Sequence, residues 1–203
     1  QVMERLCYEL RGTSCLRLEE VSPAKQQIIA SRSFGKLVTK HEELAQSVAT
    51  HAARAAEKLR GQHSVTGALT VFIQTNPFKQ NEPQHHQSIT IALADPSDNT
   101  VTLTNAALRG LKQIYQSGFR YKKAGVILNL IADKPTVQQS LFEDMDSKGR
   151  SADLMQAMDA INSRFGNAVI RLAASGTKQE WQMRSGNKSP NYTTRWDELP
   201  VAH

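Results

Sequence analysis

Residues 68–76, ALTVFIQTN, alternate between apolar side chains that a protein core would bury and side chains that tolerate water. The apolar positions are Leu69, Val71 and Ile73. Residues 88–94, SITIALA, repeat the same alternation. A period of two is typical of a β-strand with one face on the core. The two stretches therefore predict two half-buried strands.

Two amphipathic helices and two further strands are predicted around this pair. Residues 42–60 form the clearest helix, whose apolar stripe consists of Leu44, Val48, Ala52, Ala55 and Leu59. A second helical stripe runs from Leu103 to Ile114. β-Branched and aromatic residues predict a first strand at 27–34 and a last strand at 121–131. This order predicts an α+β fold of the split βαβ type, in which two helices cover one face of a four-stranded sheet.

The other face of the predicted sheet is expected to stay open. Short polar side chains on such a face allow a sheet to approach a phosphate backbone. The residues expected there are Thr70, Gln74, Ser88 and Thr90. Further candidates for phosphate contacts lie in the first strand and at the start of the last: Arg32, Ser33, Lys122 and Lys123.

The positive charge of the chain is concentrated in the block that contains this sheet. Residues 22–131 hold 13 Lys and Arg against 6 Asp and Glu, a net charge of +7 (13 − 6). Residues 132–203 hold 9 of each sign. An excess of positive charge is expected of a surface that meets a polyanion. Many small domains are basic for solubility alone, so the charge leaves both interpretations open.

Residues 132–150 are predicted to form a flexible linker, since they contain Pro135, Gly149 and several acidic residues and lack apolar periodicity. Within them stands the pentapeptide 138–142, QQSLF. A linker that exposes Leu141 and Phe142 to water, behind Gln138, indicates a peptide that docks on a partner. The alternative is that both apolar side chains pack back onto their own domain.

The two ends of the chain are interpreted separately. Residues 151–203 predict a small α/β module, in which Ser151 caps a helix that Gly166 ends and residues 167–174 form a strand. The apolar stripe predicted for this helix consists of Leu154, Met158, Ile161 and Phe165. Residues 1–21 predict a helix followed by a linker. Because the chain begins at Gln1 in mid-helix pattern, we expect a fragment of a longer protein.

Signatures of catalysis and of metal binding are missing from the sequence. It contains no GxSxG, HExxH or phosphate-binding glycine motif, so we predict no catalytic residue, cofactor or metal site in this chain. His85 and His86 suggest a metal site, but no carboxylate or cysteine lies at ligand spacing, which favours solvated loop residues. Cys7 and Cys15 make no disulfide framework. With no secretion signal and no run of about eighteen apolar residues, we expect a cytoplasmic protein without a membrane partner.

Several stretches together point to a known family: ELRG at 9–12 with Cys15-Leu16, SRSFG at 31–35, AARAAEKL at 52–59, YKKAGV at 121–126, WQM at 181–183, Ser189-Pro190 and YTTR at 192–195. In this order and spacing they resemble the C-terminal half of Y-family translesion DNA polymerases of the UmuC type, the type of the DNA polymerase V catalytic subunit. The resemblance covers nearly the whole chain.

The resemblance implies a role for each part of the chain. Residues 1–21 would be the end of the thumb with a linker, residues 22–131 the DNA-binding little finger, residues 132–150 a linker and residues 151–203 a C-terminal domain. The pentapeptide then looks like the family's β sliding clamp motif, although Gln139 stands where leucine or another residue is usual.

The implied function is that of a non-catalytic portion of an error-prone polymerase, which binds duplex DNA and the clamp during SOS-type damage tolerance. The palm, with the carboxylates that hold Mg²⁺, would precede Gln1, and UmuD-type accessory subunits would be further partners. Two other interpretations stay open. One is a freestanding clamp-associated nucleic-acid adaptor, and the other is an unrelated small-molecule enzyme that uses the loop of His85 and His86.

Overall fold

The computed structural model describes residues 2–15, 24–79, 81–134, 145–166, 168–183, 186, 189–191 and 194–199. Its helices and strands are α1 (Val2–Leu10), β1 (Ile28–Val38), α2 (His41–Gly61), β2 (Ser64–Thr75), β3 (His86–Ser97), α3 (Thr100–Ile114), β4 (Tyr121–Asp133) and α4 (Met145–Phe165). Two short 3₁₀ turns follow at Ala173–Ser175 and Trp196–Glu198. No described helix is long and apolar enough to cross a membrane.

The four strands form one antiparallel sheet in the order β1-β4-β2-β3. Helices α2 and α3 pack against each other and against one face of this sheet. Leu69, Val71 and Ile73 of β2 lie on that face and are fully buried. The prediction of an α+β fold with two helices on one face of a four-stranded sheet is confirmed.

The helix layer sits close to the sheet because its inner face is made of small and apolar side chains. All five residues of the predicted α2 stripe are 0% exposed. In α3, a Cβ added at Gly110 would lie 3.2–3.3 Å from side-chain atoms of Ile89, Ile91 and Val71, so glycine permits the close approach. Asn99 begins α3 by accepting bonds from the N–H groups of Val101 and Thr102 at 2.7 and 3.1 Å.

Strand β3 runs further than the sequence indicates. Asp95–Asn99 reads as a turn, whereas the strand continues to Ser97, which pairs with Thr66 after an irregularity in the register. Pro96 cannot donate a hydrogen bond to a neighbouring strand. A proline is tolerated in β3 because β3 is an edge strand, which pairs with another strand on one side only.

Two elements within the predicted module at residues 151–203 differ from the prediction. Helix α4 begins at Met145, six residues before Ser151, and so takes up the end of the predicted linker. The described residues 168–174 contain turns and bends but no strand. The side chain of Asn162 bonds the backbone of Ile170 as a neighbouring strand would. It accepts from the N–H of Ile170 at 2.9 Å and donates to its carbonyl at 3.0 Å.

Helix α4 follows the predicted stripe only in part, since Met158 and Ile161 of that stripe are half-buried. Leu154 and Phe165 of the predicted stripe are 56% and 65% exposed, whereas Met155 is 2% exposed. The Arg60 guanidinium holds the Asp159 carboxylate through two bonds of 2.6 and 2.7 Å, which fixes α4 against α2. This contact joins residues 99 positions apart, so helical periodicity alone does not reveal it.

Trp181 joins the C-terminal segment to the core of the sheet block. Its indole is 3% exposed and meets the Phe34 ring edge-on at 6.0 Å. Next to it, the N–H of Gly35 in β1 donates to the Trp181 carbonyl at 3.0 Å. In its described parts, the C-terminal segment therefore shares the core of the sheet block.

His51 of α2 is a titratable group inside this shared core. It is 2% exposed and lies 6.1 Å from the Trp181 ring. Burial, and then the positive charges of Arg54 and Arg32, lower the pKa of His51 from 6.5 to about 4. The imidazole is therefore neutral at pH 7.

Replacing Trp181 should test the shared core. Trp181→Ala removes a buried indole and should lower the free energy of unfolding by about 3–5 kcal/mol, which corresponds to a fall in melting temperature on the order of 10 °C. Trp196→Ala is the matched control, because Trp196 is 88% exposed. Thermal unfolding followed by circular dichroism measures both variants. Equal melting temperatures would show that the C-terminal segment contributes nothing to the core.

His51 should make stability depend on pH. Between pH 6.5 and about 4, His51 is protonated in the unfolded chain but neutral in the folded chain. The free energy of unfolding therefore falls as the pH drops through this window. The loss is at most about 3 kcal/mol. Urea unfolding at pH 7.0, 5.5 and 4.5 should show a smaller loss in His51→Gln than in the parent chain. Parallel profiles for the two proteins would contradict the low pKa.

Candidate nucleic-acid interface

The sheet face opposite α2 and α3 carries a row of hydrogen-bonded polar side chains that crosses all four strands. Gln27, just before β1, donates to Asn129 Oδ1 of β4 at 2.7 Å. Asn129 Nδ2 donates to Thr70 Oγ1 of β2 at 2.8 Å. Thr70 and Thr90 of β3 share a hydroxyl–hydroxyl bond of 2.8 Å. We call these four residues the polar row.

The four residues predicted for the open face are all placed on it. Thr70 pairs with Thr90, and Ser88 pairs with Phe72. Thr70 and Gln74 alternate with the buried positions of β2, and Ser88 and Thr90 are exposed. Residues directly opposite each other in an antiparallel pair point to the same side. Their location is therefore confirmed, whereas their contacts with DNA remain a prediction.

The predicted basic and hydroxyl residues do not all share that face. Ser33 pairs with Lys123, and Lys123 pairs in turn with Gln74, which places both residues on the same face as the polar row, further along the strands. Arg32 pairs with Ala124, whose side chain is buried under the helices. Arg32 thus lies on the helix side of β1, because neighbours along a strand point to opposite faces.

Lys122 is occupied within the protein. Its Nζ donates to the Phe34 carbonyl at 2.8 Å. It is also the extra residue where Gln74 pairs with Lys123 but Thr75 pairs with Tyr121. Such a bulge leaves one residue outside the ladder. Lys122 therefore holds β1 against β4, and Lys123 is the better-placed cation.

The open face also carries the aromatic ring of Phe72, which the alternation of β2 places there and which was not among the predicted site residues. A Cβ at Gly125 would lie 2.5 Å from Phe72 and 2.4 Å from Ser31, so the ring lies directly over the glycine. Lys123 Nζ lies 5.7 Å from the centre of the Phe72 ring, a distance at which a cation and a π-system attract each other. Asn129 was missed as well, although it continues the alternation of Lys123, Gly125 and Ile127 along β4.

The electrostatics of this face favour an anion. Lys123 supplies a positive charge, and the acidic residue that is paired in this register, Asp133, lies at the far end of β4, opposite Ser64. Glu82, in the β2–β3 connection, contacts Lys79 at 2.8 Å and Arg120 at 3.4 Å. The Lys79 hydrogen bond and the Arg120 charge lower the pKa of the Glu82 carboxyl. Two cations therefore offset the charge of this carboxylate.

Gln84 organises the connection between β2 and β3. Its amide donates to the carbonyls of Asn76, Lys79 and Glu82 at 2.8–3.2 Å. Its Oε1 accepts from the Thr75 hydroxyl at 2.7 Å. The connection is too long for a tight turn, and these hydrogen bonds of the Gln84 side chain hold its backbone together instead.

The two histidines in this region differ in their surroundings. His86 is exposed and begins β3, whereas His85 is half-buried, with its ring 4.7 Å from Phe119 and its Nδ1 3.1 Å from the Tyr121 hydroxyl. Burial raises the pKa of that hydroxyl. Within the described residues no three His, Cys, Asp or Glu side chains come together as a metal site would require.

The pentapeptide with Gln138, Leu141 and Phe142 lies outside the described residues. Its role stays a prediction.

Comparison with known proteins gives two matches to protein families. The model described as the impB/mucB/samB family C-terminal domain matches residues 25–141, which is more than half of the chain. A model described as a domain of unknown function, DUF4113, matches residues 152–202.

Similar proteins are found along the whole chain. Protein UmuC of Salmonella typhimurium is 43% identical over 198 residues, which is 98% of this chain and 47% of that protein. Protein SamB of the same organism is 43% identical over 201 residues, 99% of this chain and 47% of that protein. This chain thus spans about half the length of these relatives.

Among solved structures, one titled "Complex of beta-clamp processivity factor and little finger domain of PolIV" matches with a TM-score of 0.40 and 12% identity, over 58% of this chain and 99% of that chain. The match to Protein UmuC confirms the resemblance drawn from the sequence. The chain belongs to the impB/mucB/samB family, whose C-terminal domain it contains.

Proposed function

We propose that this chain is the C-terminal, non-catalytic portion of an error-prone translesion DNA polymerase of the Y-family, and that its sheet binds the backbone of duplex DNA. The observation that carries the proposal is the polar row on a sheet face that α2 and α3 do not cover, since they pack on the opposite face. Because the row consists of amides and hydroxyls without a carboxylate, it can approach phosphates without charge repulsion.

The charge of the chain supports the same function. Residues 22–131 carry a net charge of +7 (13 − 6), and Lys123 places one of these charges on the face that carries the polar row. Contacts with phosphates position a protein on DNA without reading its sequence. A polymerase that copies varied damaged templates needs a grip of this kind.

The pentapeptide at 138–142 is proposed to dock on the β sliding clamp. This part of the proposal rests on the sequence, where Leu141 and Phe142 follow Gln138 at the spacing of the family's clamp motif. Clamp binding would hold the polymerase at the primer terminus while the sheet holds the duplex.

The activity of the whole protein belongs to the same proposal. Nucleotide transfer with Mg²⁺ would be carried out by a palm outside this chain, and UmuD-type subunits would be accessory partners in the cytoplasm. The freestanding adaptor remains the alternative, and it differs only in lacking that palm. Sequencing the gene on the N-terminal side of Gln1 would distinguish the two.

Binding of duplex DNA should be independent of sequence and should weaken steeply with salt, because phosphate contacts release counterions. Thr90→Glu places a negative charge in the polar row. It should weaken binding about fivefold, which corresponds to roughly 1 kcal/mol between like charges about 4 Å apart in water. Lys123→Gln should lower the slope of log affinity against log salt by about one. Fluorescence anisotropy with a labelled duplex measures both effects.

Thr102→Glu is the matched control for this charge. Thr102 is also exposed, but it lies in the first turn of α3, on the other side of the molecule from the polar row. If both glutamates weaken binding equally, the DNA does not lie on the open face. A binding constant that does not change with salt would reject the backbone contact itself.

Leu141→Ala with Phe142→Ala should abolish clamp binding and leave DNA affinity unchanged. A linker peptide depends on a few buried anchors, since ordering it opposes binding. Each anchor contributes about 1.5–3 kcal/mol, so the loss should be on the order of a hundredfold or more. Gln138→Ala should cost less, at about 1 kcal/mol for one hydrogen bond. Calorimetric titration with purified clamp measures each variant.

A double variant of the same composition is available as a control. Leu154→Ala with Phe165→Ala removes the same side chains from exposed positions of α4 and should leave clamp binding intact. Thermal unfolding of the pentapeptide variant separates docking from internal packing. Lost stability with intact clamp binding would show that Leu141 and Phe142 pack on their own domain.

A further inference from the structure

Three apolar side chains lie on the open sheet face next to the polar row. Ile29 of β1 pairs with Ile127 of β4, and Ile127 pairs in turn with Thr70 of the polar row, so all three point to the same side. Ile29 is 52% exposed and Ile127 is half-buried. Phe72, two residues beyond Thr70 in β2, is half-buried on the same face. We call Ile29, Ile127 and Phe72 the apolar strip.

Gly125 keeps this strip close to the sheet surface. A Cβ at Gly125 would lie 2.5 Å from the Phe72 ring, so a larger residue would push the ring away from β4. With glycine, the ring lies over the β4 backbone, two residues before Ile127. A glycine inside a strand often marks a place where a ligand approaches the backbone closely. The apolar strip is therefore low and spans β1, β4 and β2.

Groups that suit phosphate oxygens lie on both sides of the apolar strip. On one side are the amides of Gln27 and Asn129, which belong to the polar row. On the other side is Lys123, which pairs with Gln74 and has its Nζ 5.7 Å from the centre of the Phe72 ring. In a nucleic-acid strand each sugar lies between two phosphates. A backbone held by its phosphates on both sides would thus place its sugars on the apolar strip.

The strip offers carbon atoms and no side-chain hydrogen-bonding group. Deoxyribose has a CH₂ group at its 2′ carbon, which an apolar surface can cover without losing a hydrogen bond. Ribose carries a hydroxyl there, which both donates and accepts. Covering that hydroxyl without giving it a partner costs free energy. An apolar surface at the sugars therefore favours DNA over RNA.

We propose that the apolar strip packs against deoxyribose rings of the bound duplex and makes the open face selective for DNA over RNA. The proposal rests on the function proposed above, because the duplex must lie on this face. It adds a contact that the polar row and Lys123 cannot supply, since DNA and RNA have the same phosphates. Ile29 is the most accessible test position, at the β1 end of the strip.

The test exchanges one apolar side chain of the strip for a polar one of similar shape. Ile29→Thr keeps a β-branched residue in β1, which suits a strand, and the position is 52% exposed. The matched control is Val101→Thr, at a 41% exposed position of α3, on the other side of the molecule. Fluorescence anisotropy of the full chain follows binding to a labelled DNA duplex and to an RNA duplex of the same sequence, at several salt concentrations.

Ile29→Thr should weaken binding of the DNA duplex about fivefold, because part of one apolar side chain is no longer buried. The slope of log affinity against log salt should not change, since an apolar contact releases no counterions. The preference for DNA over RNA should shrink in Ile29→Thr and stay at the parent value in Val101→Thr. Differences in shape between the two duplexes affect the parent and both variants alike.

Thr90→Glu, measured in parallel, separates this proposal from the proposed function. If Thr90→Glu weakens DNA binding and Ile29→Thr behaves like Val101→Thr, the duplex lies on the face without using the strip, and only this proposal is wrong. If neither change weakens binding, both are wrong. An equal loss for DNA and RNA in Ile29→Thr would contradict the selectivity. Self-association of the parent chain that Ile29→Thr abolishes, seen by analytical ultracentrifugation, would assign the strip to a second copy and overturn the proposal.

Discussion

The antiparallel pairing of β2 with β4 at the centre of the sheet is the interaction on which the rest of the structure depends. It is continuous from Ser64 with Asp133 to Gln74 with Lys123. Because the register of a strand sets the direction of every side chain, this pairing sends Leu69, Val71 and Ile73 towards the helices. It sends Thr70, Phe72 and Gln74 to the open face at the same time. A shift of one residue would exchange the core and the polar row.

This constraint explains why the core and the binding face are predictable together. The alternation in residues 68–76 is visible without a structure, and it assigns each side chain to one face. The same rule distinguishes residues that their chemical type alone does not. Arg32 and Ser33 are neighbours in β1, so they point to opposite faces, and only Ser33 lies on the face that carries the polar row. Counting positions from Ile28 would have separated them.

Other parts of the structure depend on contacts that local patterns do not contain. The apolar stripe of α4 does not show that Leu154 and Phe165 stay exposed while Met155 is buried, because the contact of Arg60 with Asp159 sets how the helix lies against α2. The Asn162 amide bonds the backbone N–H and carbonyl of Ile170, in a segment for which the sequence predicts a strand. Arg32, Arg54 and Trp181 are far apart in sequence and line one pocket, which no local pattern predicts.

The two edges of the sheet have a consequence for the solubility of the chain. Exposed edge strands offer unpaired N–H and C=O groups to other molecules, which promotes aggregation. At the β1 edge, the Trp181 carbonyl takes the N–H of Gly35, and a Cβ there would lie 2.5 Å from the Gln182 carbonyl, so only glycine fits. At the β3 edge, Pro96 supplies no donor. A second copy of the sheet would therefore find the Gly35 N–H already bonded and no donor at Pro96, which disfavours pairing at these two positions.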